Sequence, residues 1–484
     1  MPKIFIVLFA FFANCVSAEE AFSKRTLQLA AKKYQLNYDI DIKQRNLSAS
    51  GKITVINTSQ KSADHIPLRV YRLLKVTSVT NSEGLSIPFT QQVLSNEDWP
   101  ILQTNYVELK LDKAIKPKEI FTFEIKYKGT LLGYTETGMN YVKDTISENF
   151  SIIRMDAFAY PLVTYPNDLV NRKAKFWLNR YDYDITITVP NEYVVANGGK
   201  LISHNEHATK HTYRYTNKLP AWRMDFAIAR YAYYVKGKYS IFSWESSQNS
   251  QALLEKIAHT FDLYTKWFGP LEQELGYTFI EVPENYGAQA DVTSVIQDAK
   301  GFKELDRVYH EISHQWNVKS LDVHSPRWNE GLATFLEALT LDKLDSPGHL
   351  SQQTAKTLNK VKYTIKHNQQ YGQTAFIDYG KEGLNSYTVG MIFFHLLYDL
   401  VGENEFNHII GGFYRTFYAT GATTEQFIQF VKRNSRQDLT HFFDEWAYSP
   451  VFAKRLNEFE SYNELYHFYK VNNQTQSASI VKLK

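Results

Sequence analysis

The hydrophobic pattern of this 484-residue chain changes its period near residue 238, and this change restricts the folds open to it. Before that point, from about Leu36 to Val235, short segments such as 183–189 alternate apolar and polar residues between Gly, Pro, Asn and Asp. This is the pattern of half-buried strands. After it, from Leu253 to Phe268, apolar residues recur every three or four positions, which is the helical period. One predicted strand pair, 277–282 and 292–296, interrupts the helical part. We therefore expect an α+β, multidomain fold, with an N-terminal all-β domain followed by a mainly helical domain.

The first 18 residues have the features of a secretory signal peptide, with a charged start, an apolar run and a small-residue cleavage site ending at Ala18. We predict a mature chain from Glu19, a β domain over 19–237, a mainly helical domain over 238–450, and a tail or final strand over 451–484. The only cysteine, Cys15, lies in the signal, so the mature protein would have no disulfide. This favours an exported protein, periplasmic or secreted, from a bacterial host.

Charge and hydropathy exclude some partners. The net charge of +3 is small for this length and gives no reason to expect a nucleic-acid partner. Beyond the signal, no apolar stretch is long enough to span a bilayer, so no stable membrane insertion is expected after signal removal. The sequence leaves the oligomeric state open.

Two histidines four residues apart, His310 and His314, are the strongest local signal of chemistry. On a helix, residues at this spacing lie one above the other, so both imidazoles can face one metal ion. Zinc favours this geometry and keeps a fourth position for water in a catalytic site. Glu311, between them, can act as the general base that takes the proton of the attacking water. An HExxH match also arises by chance, so the interpretation needs a third ligand.

Glu330 is the candidate third ligand, because it lies near the start of a second apolar-periodic segment, 327–335. Two helices would then supply His310, His314 and Glu330 to one zinc ion per chain. The alternative is an ordinary helix-start acid stabilised by the helix dipole. Glu337, two turns further along the same face, can orient a zinc-binding histidine through a hydrogen bond.

An HExxH helix followed by a second helix that begins Arg-Trp-Asn-Glu-Gly, residues 327–331, resembles the signature of the aminopeptidase N family of gluzincin zinc metallopeptidases. The residues after His314 also have some likeness to the glycyl aminopeptidase family. The resemblance implies a saddle-like β domain, a thermolysin-like catalytic domain and hydrolysis of peptide bonds. It also implies a tyrosine that stabilises the oxyanion. We assign this role to Tyr387, with Tyr379 as the reserve candidate and a core tyrosine as the alternative interpretation.

The segment that grips the free amine of the substrate in this family departs from the family pattern. The glutamate expected there is replaced by Ala290, which cannot bind an ammonium group. Asp291 or Glu284 can replace it, and the backbone at Gly287 and Ala288 can pair with an extended peptide as an added strand. We predict an aminopeptidase acting on peptides, with an endopeptidase or a peptidase of altered specificity as the alternative. A catalytically silent peptide-binding protein is the less favoured alternative.

Four further histidines are interpreted as structural. His204, His207 and His211 are irregularly spaced in what resembles a hairpin between strands, which favours a polar surface over a second metal site. His324 lies between the two predicted zinc helices and is interpreted as an ordinary loop residue.

Overall fold

The computed structural model describes residues 27–96, 99–166, 180–244, 249–272, 276–321, 327–368, 371–378 and 383–481. The chain forms two compact units, Met1–Ser250 with Gly276–Ala299, and Gln251–Leu275 with Lys300–Lys484. In the described part of the chain, every named strand lies in the first unit, and the second unit is helical. The predicted fold class, an all-β region followed by a mainly helical region, is confirmed.

The first unit contains nineteen strands within the described residues. They are β1 Leu29–Asp41, β2 Asn46–Asn57, β3 Ala63–Tyr71, β4 Leu74–Asn81, β5 Phe89–Asn96, β6 Trp99–Ile115, β7 Ile120–Gly129, β8 Ser151–Ile153, β9 Leu162–Val163, β10 Tyr181–Pro190, β11 Val194–Asn197, β12 Lys200–Glu206, β13 Lys210–Ala221, β14 Phe226–Ala229, β15 Ala232–Lys236, β16 Tyr239–Ser243, β17 Tyr277–Val282, β18 Ala288–Asp291 and β19 Ser294–Asp298.

These strands form four sheets. Their orders are β12-β13-β10-β1-β2-β7-β4, β5-β6-β3-β9, β11-β14-β8 and β15-β16-β17-β19-β18. Strand β10 shows why the alternating segments become strands. From Tyr181 to Val189, every second residue is buried while its neighbours are half-exposed, so one face of the sheet packs on the core.

The second unit is built from helices, together with short 3₁₀ turns. The helices are α1 Ser250–Phe268, α2 Ala299–Lys303, which begins at the last residue of the first unit, α3 Leu305–Ser313, α4 Arg327–Leu344, α5 His349–His367, α6 Gly383–Val401, α7 Glu403–Phe417, α8 Thr424–Asn434, α9 Thr440–Trp446, α10 Val451–Glu458 and α11 Tyr462–Val481.

The prediction of a final strand or frayed tail at the end of the chain is wrong, because Tyr462–Val481 is helix α11. Leu465 and Tyr469, four residues apart, are 1 % and 0 % exposed. They therefore form one buried helical face, although the surrounding residues alternate weakly in polarity.

The two compact units do not divide the chain at the predicted domain boundary. The five-stranded sheet belongs to the first unit, because Phe242, Ile280 and Ile296 share a core with Ile152 and Ala227 of the three-stranded sheet. The predicted domain limits stay predictions, and the predicted signal peptide lies outside the described residues. No helix among the described residues is both long and apolar enough to cross a lipid bilayer.

Candidate active site and metal centre

The two histidines of the HExxH segment lie at the C-terminal end of helix α3. His310 is in its last turn, and His314 begins the 3₁₀ turn His314–Trp316 that continues it. Val308 and Ile312 are fully buried, so packing fixes the helix. The two imidazole centroids lie 4.9 Å apart with an angle of 85° between the rings. The helix therefore brings both imidazoles together, as their spacing predicts.

Glu330 reaches both imidazoles from the first turn of helix α4. Its Oε2 lies 3.3 Å from Nε2 of His310 and 3.7 Å from Nε2 of His314. A tetrahedral zinc ion with bonds of about 2.0–2.2 Å holds its ligand atoms about 3.3–3.6 Å apart. The three side chains are only 6 %, 20 % and 15 % exposed for His310, Glu330 and His314, respectively. Donor types and spacing both fit a zinc ion with a fourth position for water.

Helix α1 fixes the two helices that carry these side chains. The buried hydroxyl of Tyr264 donates to the carbonyl oxygen of Tyr309 on α3, at 3.4 Å, and lies 2.8 Å from Oγ1 of Thr340 on α4. The side-chain amide of Asn329, beside Glu330, donates to the carbonyl oxygen of Val318 at 3.2 Å. The relative positions of the two helices are therefore set by polar contacts of the core.

Each imidazole has a further hydrogen-bonding group at its Nδ1. Oε2 of Glu337 lies 2.7 Å from Nδ1 of His310, which confirms the contact predicted for that acid. The side-chain amide of Asn317 lies against Nδ1 of His314. Its Oδ1 is buried and has no hydrogen-bond partner among the described residues. If the amide is turned by half a rotation, Oδ1 accepts the Nδ1–H of His314, and Nε2 keeps its lone pair for a metal.

Sequence reasoning missed Asn317. The signal that could have found it is its position three residues after His314, about one helical turn away, where an amide can reach the ring. The structure thus gives both imidazoles a partner that orients the ring.

The charges of the site favour a cation. Burial lowers the pKa of His310, but hydrogen bonds to Glu330 and Glu337 outweigh burial and raise it to about 10. Burial lowers the pKa of His314 to about 4. Burial raises the pKa of Glu330, but the imidazoles of His314 and His310 outweigh it and lower it to about 2. The carboxylates thus hold a proton firmly on His310, and a bound divalent cation would displace that proton.

Comparison with known proteins assigns this centre to a family. Residues 291–446 match the model of the peptidase family M1 domain. The chain carries a peptidase family M1 domain. The matched segment contains His310, Glu311, His314, Glu330 and Tyr387.

Solved structures of M1 zinc metallopeptidases share the fold. One from Deinococcus radiodurans is 16 % identical with a TM-score of 0.59, and the match covers 84 % of this chain and 90 % of that chain. A variant from the same organism bound to a Tyr-Ser-Ala substrate is 16 % identical with a TM-score of 0.60, covering 87 % and 94 %. A two-domain M1 zinc metallopeptidase variant bound to L-arginine is 16 % identical with a TM-score of 0.61, covering 84 % and 91 %. No curated protein matches the chain in sequence.

For the domain over residues 291–446, the predicted resemblance to the aminopeptidase N-like gluzincins is therefore confirmed. The match of this domain also confirms the predictions that the protein is an enzyme and that this enzyme is a zinc-dependent metallopeptidase.

Within the M1 domain, Glu311 has the environment that suits a base. Glu311 is only 8 % exposed to solvent. Burial raises the pKa of its carboxyl to about 7, because the opposing charge of His310 only partly offsets the loss of solvation. A general base with a pKa near the working pH is the most effective one.

Tyr387 lies on helix α6 at the edge of the same group of side chains. Its ring is nearly parallel to that of His310, with centroids 6.0 Å apart and an angle of 15°. Its hydroxyl is hydrogen-bonded to Glu330. Burial, followed by the charge of Glu330, raises the pKa of this phenol, so it stays protonated and able to donate. The reserve candidate Tyr379 and the loop residue His324 lie outside the described residues.

The predicted substrate-binding residues Gly287, Ala288 and Asp291 lie in the first compact unit, on and beside strand β18. Strand β18 ends the order of its sheet and pairs with β19 alone among the described strands. The fully buried guanidinium of Arg154 donates to the carbonyl of Tyr286 and to Oε1 of Gln289, both at 2.9 Å. This segment is therefore held from within, and the indole N–H of Trp222 also donates to the backbone carbonyl of Ala290 on β18 at 3.2 Å.

The two acids proposed to replace the missing glutamate differ in their surroundings. Asp291 is 6 % exposed, and its Oδ1 accepts the backbone N–H groups of Val292 at 2.8 Å and of Trp222 at 3.4 Å. Burial outweighs these bonds and raises the pKa of Asp291 to about 7. Glu284 is exposed. Asp291 thus forms part of the interior, whereas Glu284 is open to solvent.

Proposed function

We propose that this M1 metallopeptidase is an aminopeptidase that removes residues from the free amino end of peptides, using one zinc ion held by His310, His314 and Glu330. The observation that carries the proposal is that the three ligand atoms converge. Oε2 of Glu330 lies 3.3 Å from Nε2 of His310 and 3.7 Å from Nε2 of His314, and the buried carboxyl of Glu311 belongs to the same HExxH segment. When bound, zinc would supply a Lewis acid that polarises the scissile carbonyl and lowers the pKa of water.

Side chains of the protein carry out the proton transfer, stabilise the oxyanion and orient the histidines. Glu311 takes a proton from the attacking water and passes it to the leaving amine, a double role that a pKa of about 7 permits. The hydroxyl of Tyr387 donates a hydrogen bond to the oxyanion of the tetrahedral intermediate. Glu337 accepts a hydrogen bond from His310, and Asn317, with its amide turned so that Oδ1 faces the ring, accepts one from His314, so that the Nε2 atoms stay directed toward the metal.

Peptides are the substrate class that the relatives support, since one solved M1 structure holds a Tyr-Ser-Ala substrate and another holds L-arginine. The position of strand β18 at the end of its sheet, among the described strands, also suits the addition of an extended peptide. The competing proposal is an endopeptidase, and the observation that favours it is Ala290, which leaves the amine-binding segment without its usual acid.

The deciding experiment compares one set of peptides with free and with acetylated N-termini, cleaved by the purified mature protein with zinc and after chelation. Glu311→Gln should lower kcat by roughly 10²–10⁴-fold while zinc stays bound. Glu304→Gln, the same change at the partly exposed residue before helix α3, is the matched control. Cleavage of free peptides alone supports the aminopeptidase. Equal cleavage of both sets supports the endopeptidase, and no cleavage by zinc-loaded protein refutes both.

We also propose that the protein is exported, to the periplasm or beyond the cell, because residues 1–18 have the composition of a signal peptide and the only cysteine lies among them. The test is N-terminal sequencing of protein recovered from outside the cytoplasm. A mature start at Glu19 supports export, and a retained Met1 in a cytoplasmic fraction refutes it.

A further inference from the structure

A second group of metal-ligand side chains lies in the first compact unit, on the hairpin formed by strands β12 and β13. His204 and Glu206 are two residues apart on β12, and Glu206 pairs directly across the strands with His211 of β13. Residues with these relations point to the same face of an antiparallel pair. One possible ligand atom from each of the three side chains lies within 4.8 Å of the other two.

The geometry of this group is close to that of the M1 centre. The rings of His204 and His211 have centroids 5.0 Å apart and an angle of 72°, against 4.9 Å and 85° for His310 and His314. Nδ1 of His204 lies 3.8 Å from Oε1 of Glu206. That distance is only slightly longer than the spacing of about 3.3–3.6 Å required by a tetrahedral ion.

One imidazole of the group is held in place by the core. The ring of His204 stacks on that of Tyr213, with centroids 4.2 Å apart and an angle of 11°. Tyr213 is 4 % exposed and lies across the strands from His204. The position of His204 is therefore fixed before any ion arrives, which reduces the entropy lost on binding.

We propose that His204, Glu206 and His211 form a second metal site, which binds a divalent transition ion such as Zn²⁺ or Cu²⁺. Two imidazoles and one carboxylate select these ions over Ca²⁺ and Mg²⁺, which prefer sites made of oxygen ligands. The side chain of Glu206 is 68 % exposed and that of His204 is 30 % exposed, so water completes the coordination shell. The site is consequently weaker than the buried M1 centre. A bound ion joins the edge strand β12 to β13 through side chains.

This proposal differs from the interpretation of these histidines as a polar surface, which was drawn from their irregular spacing. Spacing along the chain says nothing about cross-strand pairing, which places Glu206 opposite His211 and leaves His207 out of the group. His207 lies in the turn, where its backbone N–H donates to the carbonyl of Lys210 at 2.9 Å.

The test counts zinc bound per chain after titration of the full mature protein with Zn²⁺ alone, by calorimetry and by elemental analysis after gel filtration. His204→Phe keeps a ring to pack on Tyr213 but removes the ligand nitrogens. It should bind one zinc ion fewer than the wild type, with peptidase activity unchanged. His207→Phe makes the same change in the same hairpin and should bind as many ions as the wild type.

The expected difference of one zinc ion between the wild type and His204→Phe does not depend on how the M1 centre binds metal. The second site is therefore tested separately from the M1 centre. Cu²⁺ added to wild type that carries one equivalent of zinc, which fills the tighter M1 centre first, should give an electron paramagnetic resonance signal with coupling to two imidazole nitrogens. His211→Ala should abolish that coupling and serves as a second variant if His204→Phe folds poorly. Equal zinc counts in wild type and His204→Phe, or the same loss in His207→Phe, would overturn the proposal.

Discussion

Replacing Glu337 tests whether the M1 centre depends on groups beyond its three ligands. Glu337→Gln keeps the size of the side chain and an oxygen that can accept the Nδ1–H of His310, 2.7 Å away in the wild type, but it removes the negative charge. We expect weaker zinc binding with the fold intact. The carboxylate makes the imidazole a better donor to the metal, and an amide does so less well.

The structure sets the size of the effect. The two side chains are 6 % and 14 % exposed, so water screens their interaction little. A hydrogen bond to a charged group contributes about 1.5–3 kcal/mol and a neutral one about 0.5–1.5 kcal/mol, so the change costs about 1–1.5 kcal/mol. This corresponds to roughly tenfold weaker zinc binding. Glu337→Ala also leaves the imidazole N–H without its partner and should approach the upper end of the range, about 100-fold.

The assay is competition for zinc against a chelator of known affinity, with the melting temperature of the zinc-loaded and zinc-free proteins as a second readout. Glu304→Gln removes the same charge close to helix α3 without touching His310 and serves as the control. The reasoning is refuted if Glu337→Gln binds zinc within twofold of the wild type. It is also refuted if Glu304→Gln weakens zinc binding by as much, because the effect would then be one of overall charge.

Three further outcomes are expected. Asn317→Ala should weaken zinc binding by about tenfold in the same competition assay, whereas Asn317→Asp, which keeps an acceptor for Nδ1–H of His314, should restore it. Tyr387→Phe should lower kcat for peptide cleavage by about 10²–10³-fold, with KM and bound zinc nearly unchanged. Because the folded protein raises the pKa of Asp291 to about 7, it binds more protons than the unfolded chain between about pH 4 and 7, and stability falls as pH rises through that window. Asp291→Asn removes this loss, so its melting temperature should exceed that of the wild type by more at pH 8 than at pH 5.

For each of these three predictions, one result would contradict the role assigned to the residue. Asn317→Asp binding zinc as poorly as Asn317→Ala would mean that the residue only fills space. A Tyr387→Phe variant that changes KM alone would place the phenol in substrate binding. A melting difference for Asp291→Asn that does not vary with pH would mean that the acid is already ionised in the folded protein.

Sequence predicted the parts of the site that depend on spacing along one helix. The relation between His310 and His314 follows from helical geometry alone, and so does the first-turn position of Glu330. Local hydrogen bonding at one helix start can also be predicted from the sequence. Thr423 and Gln426 form the capping box that their spacing suggests, with Thr423 Oγ1 accepting the Gln426 N–H at 3.2 Å and Gln426 Oε1 accepting the Thr423 N–H at 2.8 Å.

Features that depend on contacts between distant segments of the chain could not be predicted from the sequence. The grouping of His204 with His211 requires the strand register, and the role of Asn317 requires the turn that ends helix α3 to bring its amide back to the ring. The last helix was missed for another reason. Within 462–472, where its side chains are described, Leu465 and Tyr469 are buried, and polar neighbours mask the helical period.

Which side chain can bind the free amine of a substrate depends on charge and exposure. An anchor for an ammonium group must offer a negative charge that the substrate can reach. Asp291 fails on both counts, because it is 6 % exposed and a pKa of about 7 leaves it about half neutral near neutral pH. The amide of Gln289 carries no charge, and its oxygen is occupied by Arg154. Of the candidates in this segment, only Glu284 keeps an exposed carboxyl. If free peptides alone are cleaved, Glu284 is therefore the acid to test. If acetylated peptides are cleaved as well, no acid of this segment holds the amine.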